Sequence, residues 1–439
     1  FPNLETQKDA FNSTPCYTAY LPKLTELYGG FDGCSNLESI YIPNVTEVSY
    51  FAFKDCDSLS EDAVPFEQFT IVGSYAFSGA PFENIILPNC TEIGDAAFIG
   101  ASSKYISAPK ATTVGEDAFR YTFYLEEVNL ESVETFVGTK AQFCDSVKLK
   151  YLYLPNAKNI PLLEWQMSLE VLQNGSWETQ LEFIYAPKAT EFQQTEESDL
   201  YYCKKLKSIF APNLESLNLS MQSADMDEAD DGVRFPKDSN VKLYLSDKLT
   251  TYSDYKTSVA QLTIVAPENS YAHTVANENR YTFISSDDIA EALGGQIRTR
   301  DSGLRFGFTL DSSEIGFDYE SLADDVEYGF VYTYDEVSED EQEANTQVRN
   351  GADGTYTIEA AKRNVEGTVS QYNAVFTGIP ASHYDSKISA RAYVCIDGMY
   401  FYSPVTTRSF NDVANAILND NTMDSNTRSE VYNLINREV

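Results

Sequence analysis

Residues 85–101 read Ile85-Ile86-Leu87-Pro88-Asn89-Cys90-Thr91-Glu92-Ile93-Gly94-Asp95-Ala96-Ala97-Phe98-Ile99-Gly100-Ala101 and contain two landmarks that return along the chain. The first landmark is a short apolar strand that ends in Pro and is followed, two residues later, by another apolar residue. The second is Ala-Phe, followed three residues later by a small residue. A pattern that returns at a regular spacing indicates a repeat architecture.

The proline landmark recurs through the first two-thirds of the chain, and its first six steps are 20 to 23 residues long. Its anchor places are Pro2, Pro22, Pro43, Pro65, Pro88, Pro109, Glu131, Pro155, Pro187 and Pro212. A period of about 22 residues is the length of a leucine-rich repeat. The sequence therefore predicts a leucine-rich repeat solenoid with a parallel β-sheet and short helical or irregular returns.

The Ala-Phe landmark predicts one buried ring per coil beside a small partner. The rings with a small residue three places later are Phe31, Phe53, Phe77, Phe98 and Phe119. Cys34 and Cys56 occupy the small-residue place, so we interpret the cysteines as buried packing residues rather than reactive thiols. Seven scattered cysteines without a Cys-x-x-Cys pair also argue against a disulfide framework and a zinc site.

These repeats resemble the leucine-rich repeats of BspA-type bacterial surface proteins. The resemblance is carried by Leu87-Pro88, Ile93-Gly94 and Ala97-Phe98, and it returns at Val114-Gly115 and Ala118-Phe119. It extends over about residues 1–284. The resemblance implies adhesion to host matrix proteins or to other bacteria.

Changes in the pattern divide the chain into three parts. Longer repeat steps predict insertions near residues 160–182 and 221–240 of a solenoid that ends near residue 284. Alternating segments then predict a mainly antiparallel, β-sandwich-like domain over residues 285–410. Two helix-like pieces predict a helical tail over residues 411–439. Three segments of this C-terminal third resemble modules of surface proteins from gut Gram-positive bacteria: Gln296-Ile297-Arg298, Gly303-Leu304-Arg305-Phe306 and Arg391-Ala392-Tyr393-Val394.

Strand alternation sorts the solenoid side chains into inward and outward positions relative to the proline anchor. The aromatic residues two and four places before the anchor are predicted to point outward and to form the ligand-binding surface. This aromatic column comprises Tyr20, Tyr41, Tyr105, Tyr151, Tyr153, Phe183, Tyr185, Phe210 and Tyr244. Exposed rings suit contact with sugars or with a partner protein. The alternative is that stacked rings stabilise the sheet, or that a flanking loop covers them.

The acidic segment 225–231 is similar to part of an EF-hand calcium loop. With Asp227 at position 1, Asp231 and Gly232 fit positions 5 and 6 of that loop. However, position 3 is Ala229 and position 12 is Asp238 rather than Glu. A solvated acidic loop is therefore favoured, and the sequence predicts neither a metal ion nor a cofactor.

The composition offers little for catalysis or for nucleic-acid binding. The chain has two histidines, His273 and His383, and it lacks a nucleophile-elbow motif and a Gly-rich phosphate loop. Its 67 acidic and 31 basic residues give a formal charge of -36, which argues against a nucleic-acid partner. No apolar run is long enough to insert into a membrane.

Together these features predict a non-enzymatic protein, extracellular or attached to the cell surface, that binds an extracellular protein of the host matrix or of a bacterial surface. Two alternatives stay open: a glycan-binding accessory protein that uses the aromatic column against polysaccharide, and a structural stalk that presents another domain. Because the chain opens at Phe1 inside a repeat, we expect a processed form from which a signal or anchor has been removed.

Overall fold

The structure is a computed structural model that describes residues 1–138, 142–143, 145–161, 179–193, 200, 203–219, 233–236, 240–254 and 261–436, without the side chains of residues 364–366. The chain divides into two compact units. The first unit comprises Phe1–Val265 and Ser270–Phe283, and the second comprises Ala266–Asn269 and Ile284–Val439. Most of the two predicted insertions, 160–182 and 221–240, lies outside the described residues, as does all of the acidic segment 225–231.

The first unit is a solenoid whose coils contribute short strands to two sets of parallel sheets. One set, the anchor strands, lies just before the proline landmark and comprises β2 (Thr18–Tyr20), β4 (Ser39–Tyr41), β7 (Asn84–Ile86), β9 (Tyr105–Ser107), β11 (Glu127–Asn129), β13 (Tyr151–Tyr153), β15 (Phe183–Tyr185), β17 (Ser208–Phe210), β19 (Asn240–Tyr244) and β21 (Gln261–Ala266). They form sheets in the orders β2-β4, β7-β9-β11 and β13-β15-β17-β19-β21, and the last sheet adds β22 (Thr282–Ser285).

The second set, the return strands, follows the landmark by a few residues. It comprises β1 (Thr6–Lys8), β3 (Glu26–Tyr28), β5 (Glu47–Val48), β6 (Ile71–Val72), β8 (Glu92–Ile93), β10 (Thr113–Val114), β12 (Thr135–Phe136), β14 (Asn159–Ile160), β16 (Glu191–Phe192), β18 (Ser216–Leu219) and β20 (Thr251–Asp254). Seven of them form one sheet, β1-β3-β5-β6-β8-β10-β12. The predicted leucine-rich repeat solenoid is confirmed, with returns that are tight turns and very short strands.

The anchor sheet is interrupted between β4 and β7, where the 3₁₀-helices Glu61–Ala63 and Phe66–Gln68 replace a strand. The Glu61 carboxylate accepts hydrogen bonds of 2.9 Å from the backbone N–H groups of Glu83 and Asn84. A side chain therefore satisfies backbone donors that a neighbouring strand would otherwise pair.

A column of phenylalanine rings runs through the solenoid core, one ring per coil. The stacked rings are Phe11, Phe31, Phe53, Phe77, Phe98, Phe119 and Phe143. Neighbouring ring centroids lie between 5.0 and 5.9 Å apart, and neighbouring planes are within 15° of parallel. The Ala-Phe landmark thus places one buried, stacked ring in each of these coils, as the sequence predicts.

Helix α1 (Tyr271–Asn279) follows β21. Its first turn is capped by Ser270, whose hydroxyl oxygen accepts from the backbone N–H of His273 at 3.2 Å. The helix ends at Arg280, which adopts a left-handed conformation with φ of 61°. A polar N-cap and a left-handed C-cap satisfy backbone groups that the helix itself leaves unpaired.

The second unit contains two antiparallel sheets. Their strands are β23 (Glu291–Arg298), β24 (Gly303–Asp311), β25 (Val326–Thr333), β26 (Tyr356–Glu359), β27 (Ala361–Glu366), β28 (Val369–Phe376), β29 (Ile388–Ile396), β30 (Met399–Tyr402) and β31 (Thr406–Arg408). The first sheet has the order β23-β24-β28-β27. The second has the order β26-β25-β29-β30, and β31 also pairs with β29. Rings of the two sheets meet in the core, where the Phe308 and Phe330 centroids are 5.5 Å apart. The predicted sandwich-like architecture is confirmed.

Short helices complete this unit. They are α2 (Ser312–Ile315), α3 (Tyr319–Leu322), α4 (Glu341–Gln347), α5 (Phe410–Asn419) and α6 (Ser425–Ile435), together with the 3₁₀-helix Ala381–His383. Helix α5 begins with a capping box in which Ser409 and Asp412 exchange hydrogen bonds. The two last helices confirm the predicted helical tail.

The second unit contains a fully buried guanidinium. Arg391 has no exposed surface, and its Nη2 atom is 3.1 Å from the carboxylate of Asp287. Its Nε and Nη1 atoms donate to the carbonyls of Ser403 and Asn345 at 2.6 and 2.8 Å, and the guanidinium lies 4.3 Å from the centroid of the Tyr402 ring. Burial lowers the pKa of Arg391, and the Asp287 carboxylate opposes that shift.

Candidate functional site

The exposed part of the aromatic column begins at Tyr20 and Tyr41. The two residues lie opposite each other in the register of β2 and β4, and their ring centroids are 5.0 Å apart with planes 8° from parallel. The rings are 61% and 49% exposed. Each ring lays one face against the other, so the accessible parts of the pair are the outer ring faces, the ring edges and the hydroxyl groups.

Further along the column, exposure is uneven. Tyr151 is 56% exposed, whereas Tyr105 and Tyr153 are half-buried. Ile86 occupies the same register place as Tyr41 in a later coil and is 52% exposed. The exposed surface therefore extends, with gaps, from the second coil to the anchor strand β13.

The exposure predicted for the far end of the column is wrong. Phe183, Tyr185, Phe210 and Tyr244 are all buried. Tyr185 stacks on Tyr153 at 5.4 Å and on Phe210 at 5.2 Å, and burial raises the pKa of Tyr244. These large rings meet in register and pack against one another, so here the column behaves as the stabilising ladder of the alternative interpretation.

A second, partly exposed aromatic group, which the sequence did not reveal, lies in the turns that follow the return strands. In this turn patch, Tyr50, Phe51 and Tyr75 form a contact cluster, with ring centroids 3.9 Å apart for Tyr50 and Phe51 and 5.0 Å apart for Phe51 and Tyr75. The Lys54 ammonium lies 5.0 Å from the Phe51 centroid. Tyr50 is 55% exposed. An aromatic residue just before the Ala-Phe landmark is the signal that would have identified this patch.

The comparisons with known proteins now identify the repeat. Residues 27–150 match the model of the BspA type leucine rich repeat region in six copies. Residues 27–150 are BspA-type leucine-rich repeats. A search of curated proteins and a search of solved structures each found no match. BspA-type repeats suggest a role in protein interaction at a surface or in adhesion. The resemblance of the C-terminal third to gut Gram-positive modules stays a prediction.

The BspA-type repeats contain Tyr41 and the whole turn patch, while Tyr20 precedes the matched residues and Tyr151 follows them. Within the part of the chain that the structure describes, no helix is long and apolar enough to cross a membrane. Across the same described residues, no group of three or more His, Cys, Asp or Glu side chains is arranged to hold a metal ion.

The two histidines take part in different contacts. The His273 ring, in α1, stacks on Phe283 with centroids 4.0 Å apart. His383 is exposed, and its Nδ1 atom is 3.0 Å from the hydroxyl of the adjacent Ser382. Ring stacking and a hydrogen bond between adjacent residues are contacts that stabilise local structure. The BspA-type repeats themselves contain no histidine.

Three cysteines of the BspA-type repeats, Cys34, Cys56 and Cys90, are buried packing residues. Cys34 and Cys56 are buried, and their thiols donate to the carbonyls of Phe11 and Phe31 in the preceding coil at 2.9 and 3.1 Å. Burial raises the pKa of both thiols, and it raises the pKa of Cys90 to about 11. A thiol with a raised pKa is a poor nucleophile at neutral pH because little thiolate is present.

We expect Cys90 to react with a thiol reagent at pH 8 roughly 100-fold more slowly in the folded protein than in the denatured chain, from the lower thiolate fraction alone. Because its pKa is about 11, its reactivity should keep rising with pH up to that value. Site-resolved labelling followed by mass spectrometry measures this, and the half-buried Cys16 is the internal comparison. Equal labelling rates for Cys90 in the two states would contradict the prediction.

Proposed function

We propose that the chain is a non-enzymatic binding protein that acts at or outside the cell surface, as an adhesin for an extracellular protein of the host matrix or of a bacterial surface. The observation that carries this proposal is the stacked and exposed pair Tyr20 and Tyr41 on the solenoid face. Tyrosine supplies a large apolar area with a polar tip and is enriched at protein interfaces. The BspA-type repeats of residues 27–150 support the same class of function.

Two features favour a protein partner. The stacked pair joins two rings and two hydroxyl groups into one aromatic surface, and apolar area with polar tips suits contact with a polypeptide surface. The chain carries a formal charge of -36, so a partner with a basic surface would associate fastest.

Tyr151 supports the second candidate, a glycan-binding function. It is 56% exposed, and no ring of the described residues stacks on it. A single exposed ring keeps a face available for a sugar. The protein-binding and glycan-binding proposals therefore depend on different tyrosines of the same column, and substitutions can separate them.

The test is binding of the full chain to immobilised matrix proteins and to a glycan panel, with Tyr20→Ser/Tyr41→Ser and Tyr151→Ser tested alongside. We expect saturable protein binding that the double variant weakens at least tenfold, as loss of central aromatic contacts does at interfaces. The matched control is Tyr356→Ser/Tyr432→Ser, which removes two rings that are 57% and 58% exposed in the second unit. Circular dichroism verifies that each variant is folded.

Other results of this binding experiment would favour a different surface or a different function. Protein binding that the Tyr20→Ser/Tyr41→Ser variant retains would refute this choice of surface. Binding that free sugar competes away and that Tyr151→Ser abolishes would favour the glycan-binding protein. The absence of binding to both panels would favour the structural stalk.

A further inference from the structure

The second unit contains an apolar cavity that is independent of the solenoid surface. Its volume is about 550 Å³, within the range of about 300–1,000 Å³ that ligand pockets occupy. Three buried side chains, Phe376, Ile388 and Phe410, contribute to its wall. Exposed Ser386 and His383 line it as well. The cavity therefore combines a buried apolar wall with a polar, accessible rim.

The cavity adjoins a wider groove of about 1190 Å³. Exposed Tyr334 and Ser386 line both spaces, so the groove continues directly from the rim of the cavity. Tyr334 is 58% exposed, and an accessible tyrosine ring at such a junction can bind a cation over its face.

The groove carries an excess of negative charge. Five carboxylates line it, against one lysine and one arginine; the acidic residues are Asp335, Glu336, Glu339, Glu341 and Asp385. In the described part of the chain, none of these five carboxylates forms an ion pair. The two cations, Lys387 and Arg408, also act on Asp412, whose pKa is lowered first by the hydrogen bond from the Ser409 backbone and then by these charges. The groove is thus complementary to a positively charged ligand.

We propose that this cavity and groove bind a basic peptide segment of a partner protein, with one bulky apolar side chain in the cavity and neighbouring lysine or arginine side chains along the groove. The apolar wall selects the anchoring side chain, because burying it removes apolar surface from water. The groove carboxylates, which form no ion pairs within the described part of the chain, select lysine or arginine residues beside the anchoring side chain. The two joined spaces are together larger than one small molecule fills, which favours an extended peptide.

The test uses the full chain and a labelled synthetic peptide, Lys-Lys-Ser-Trp-Ser-Lys-Lys, followed by fluorescence anisotropy. We expect saturable binding, and replacing the peptide Trp with Ser should weaken it at least tenfold. Ser386→Trp, which fills the cavity from its exposed rim, should also weaken binding at least tenfold. Ser382→Trp is the matched control because Ser382 is exposed on the nearby 3₁₀-helix Ala381–His383 and does not line either space.

A second variant tests the groove separately. Glu336→Gln/Glu339→Gln removes two unpaired charges and should reduce both the affinity and its dependence on salt concentration. Thr377→Trp fills the cavity from another exposed lining residue and replaces Ser386→Trp if that variant fails to fold. Equal affinity for the Trp and Ser peptides would show general attraction to an acidic chain and would overturn the proposal. Unchanged binding by a folded cavity-filling variant, or no saturable binding at about 1 mM peptide, would overturn it as well.

Discussion

Replacing Arg391 with alanine is expected to lower the free energy of unfolding of the second unit by about 3–5 kcal/mol. The substitution leaves the buried Asp287 carboxylate without one of its two arginine partners, since only Arg349, at 2.7 Å, remains. It also removes the donors to the backbone carbonyls of Ser403 and Asn345. Unpaired buried polar groups are costly because they lose their hydration without compensation.

Hydrogen exchange resolved by peptide assigns this effect to the second unit, while far-ultraviolet circular dichroism follows the unfolding of the whole chain. We expect Arg391→Ala to shift a denaturation transition in the dichroism and to speed exchange in peptides of the second unit, but not in those of the first. Arg363→Ala, at an exposed position, should change neither, and an equal effect of the two variants would refute the structural role of Arg391.

Phe98→Ala should produce a loss of similar size, about 3–5 kcal/mol, in the first unit. The Phe98 ring has no exposed surface and lies between Phe77 and Phe119, with centroids 5.9 and 5.8 Å away. Truncation removes the contacts of both ring faces and leaves a cavity that a close-packed core fills only in part.

The matched comparison for Phe98→Ala is Ile86→Ala, a residue of the same repeat that is 52% exposed. We expect this control to change stability by about 0.5 kcal/mol or less, as is usual at the surface. Guanidinium denaturation followed by far-ultraviolet circular dichroism compares the two variants, and hydrogen exchange locates the weakened coils. A similar loss for both would mean that the stacked column contributes little to stability.

The solenoid was predictable from the sequence because every coil buries the same positions. The spacing of Pro88 and Phe98 returns often enough to reveal both the strand and the core ring, and the place of Cys56 beside Phe53 follows from the same period. The exposure of the aromatic column was only partly predictable. Alternation identifies Tyr185 as pointing away from the coil interior, but it does not reveal that Tyr153 and Phe210 pack against its ring.

The features of the second unit that matter most depend on contacts between distant parts of the chain. Alternating segments predicted its strands, but the hydrogen bond from Arg391 to the Asp287 carbonyl joins residues 104 positions apart. The apolar cavity is likewise assembled from Tyr334, residues 376–388 and Phe410. No local pattern marks such residues as neighbours, which is why neither the buried arginine nor the cavity was predicted.

The regular stacking of the coils also makes the exposed tyrosine surface adjustable in length. Neighbouring parallel strands lie about 4.8 Å apart, and six repeat steps separate the coil of Tyr20 from the coil of Tyr151, a span of about 29 Å at that spacing. Gain or loss of one whole repeat between them would move these rings by one step while leaving the contacts of each ring intact. Recombination between repeats can therefore tune the reach of this surface to a partner in discrete increments, with no new fold required.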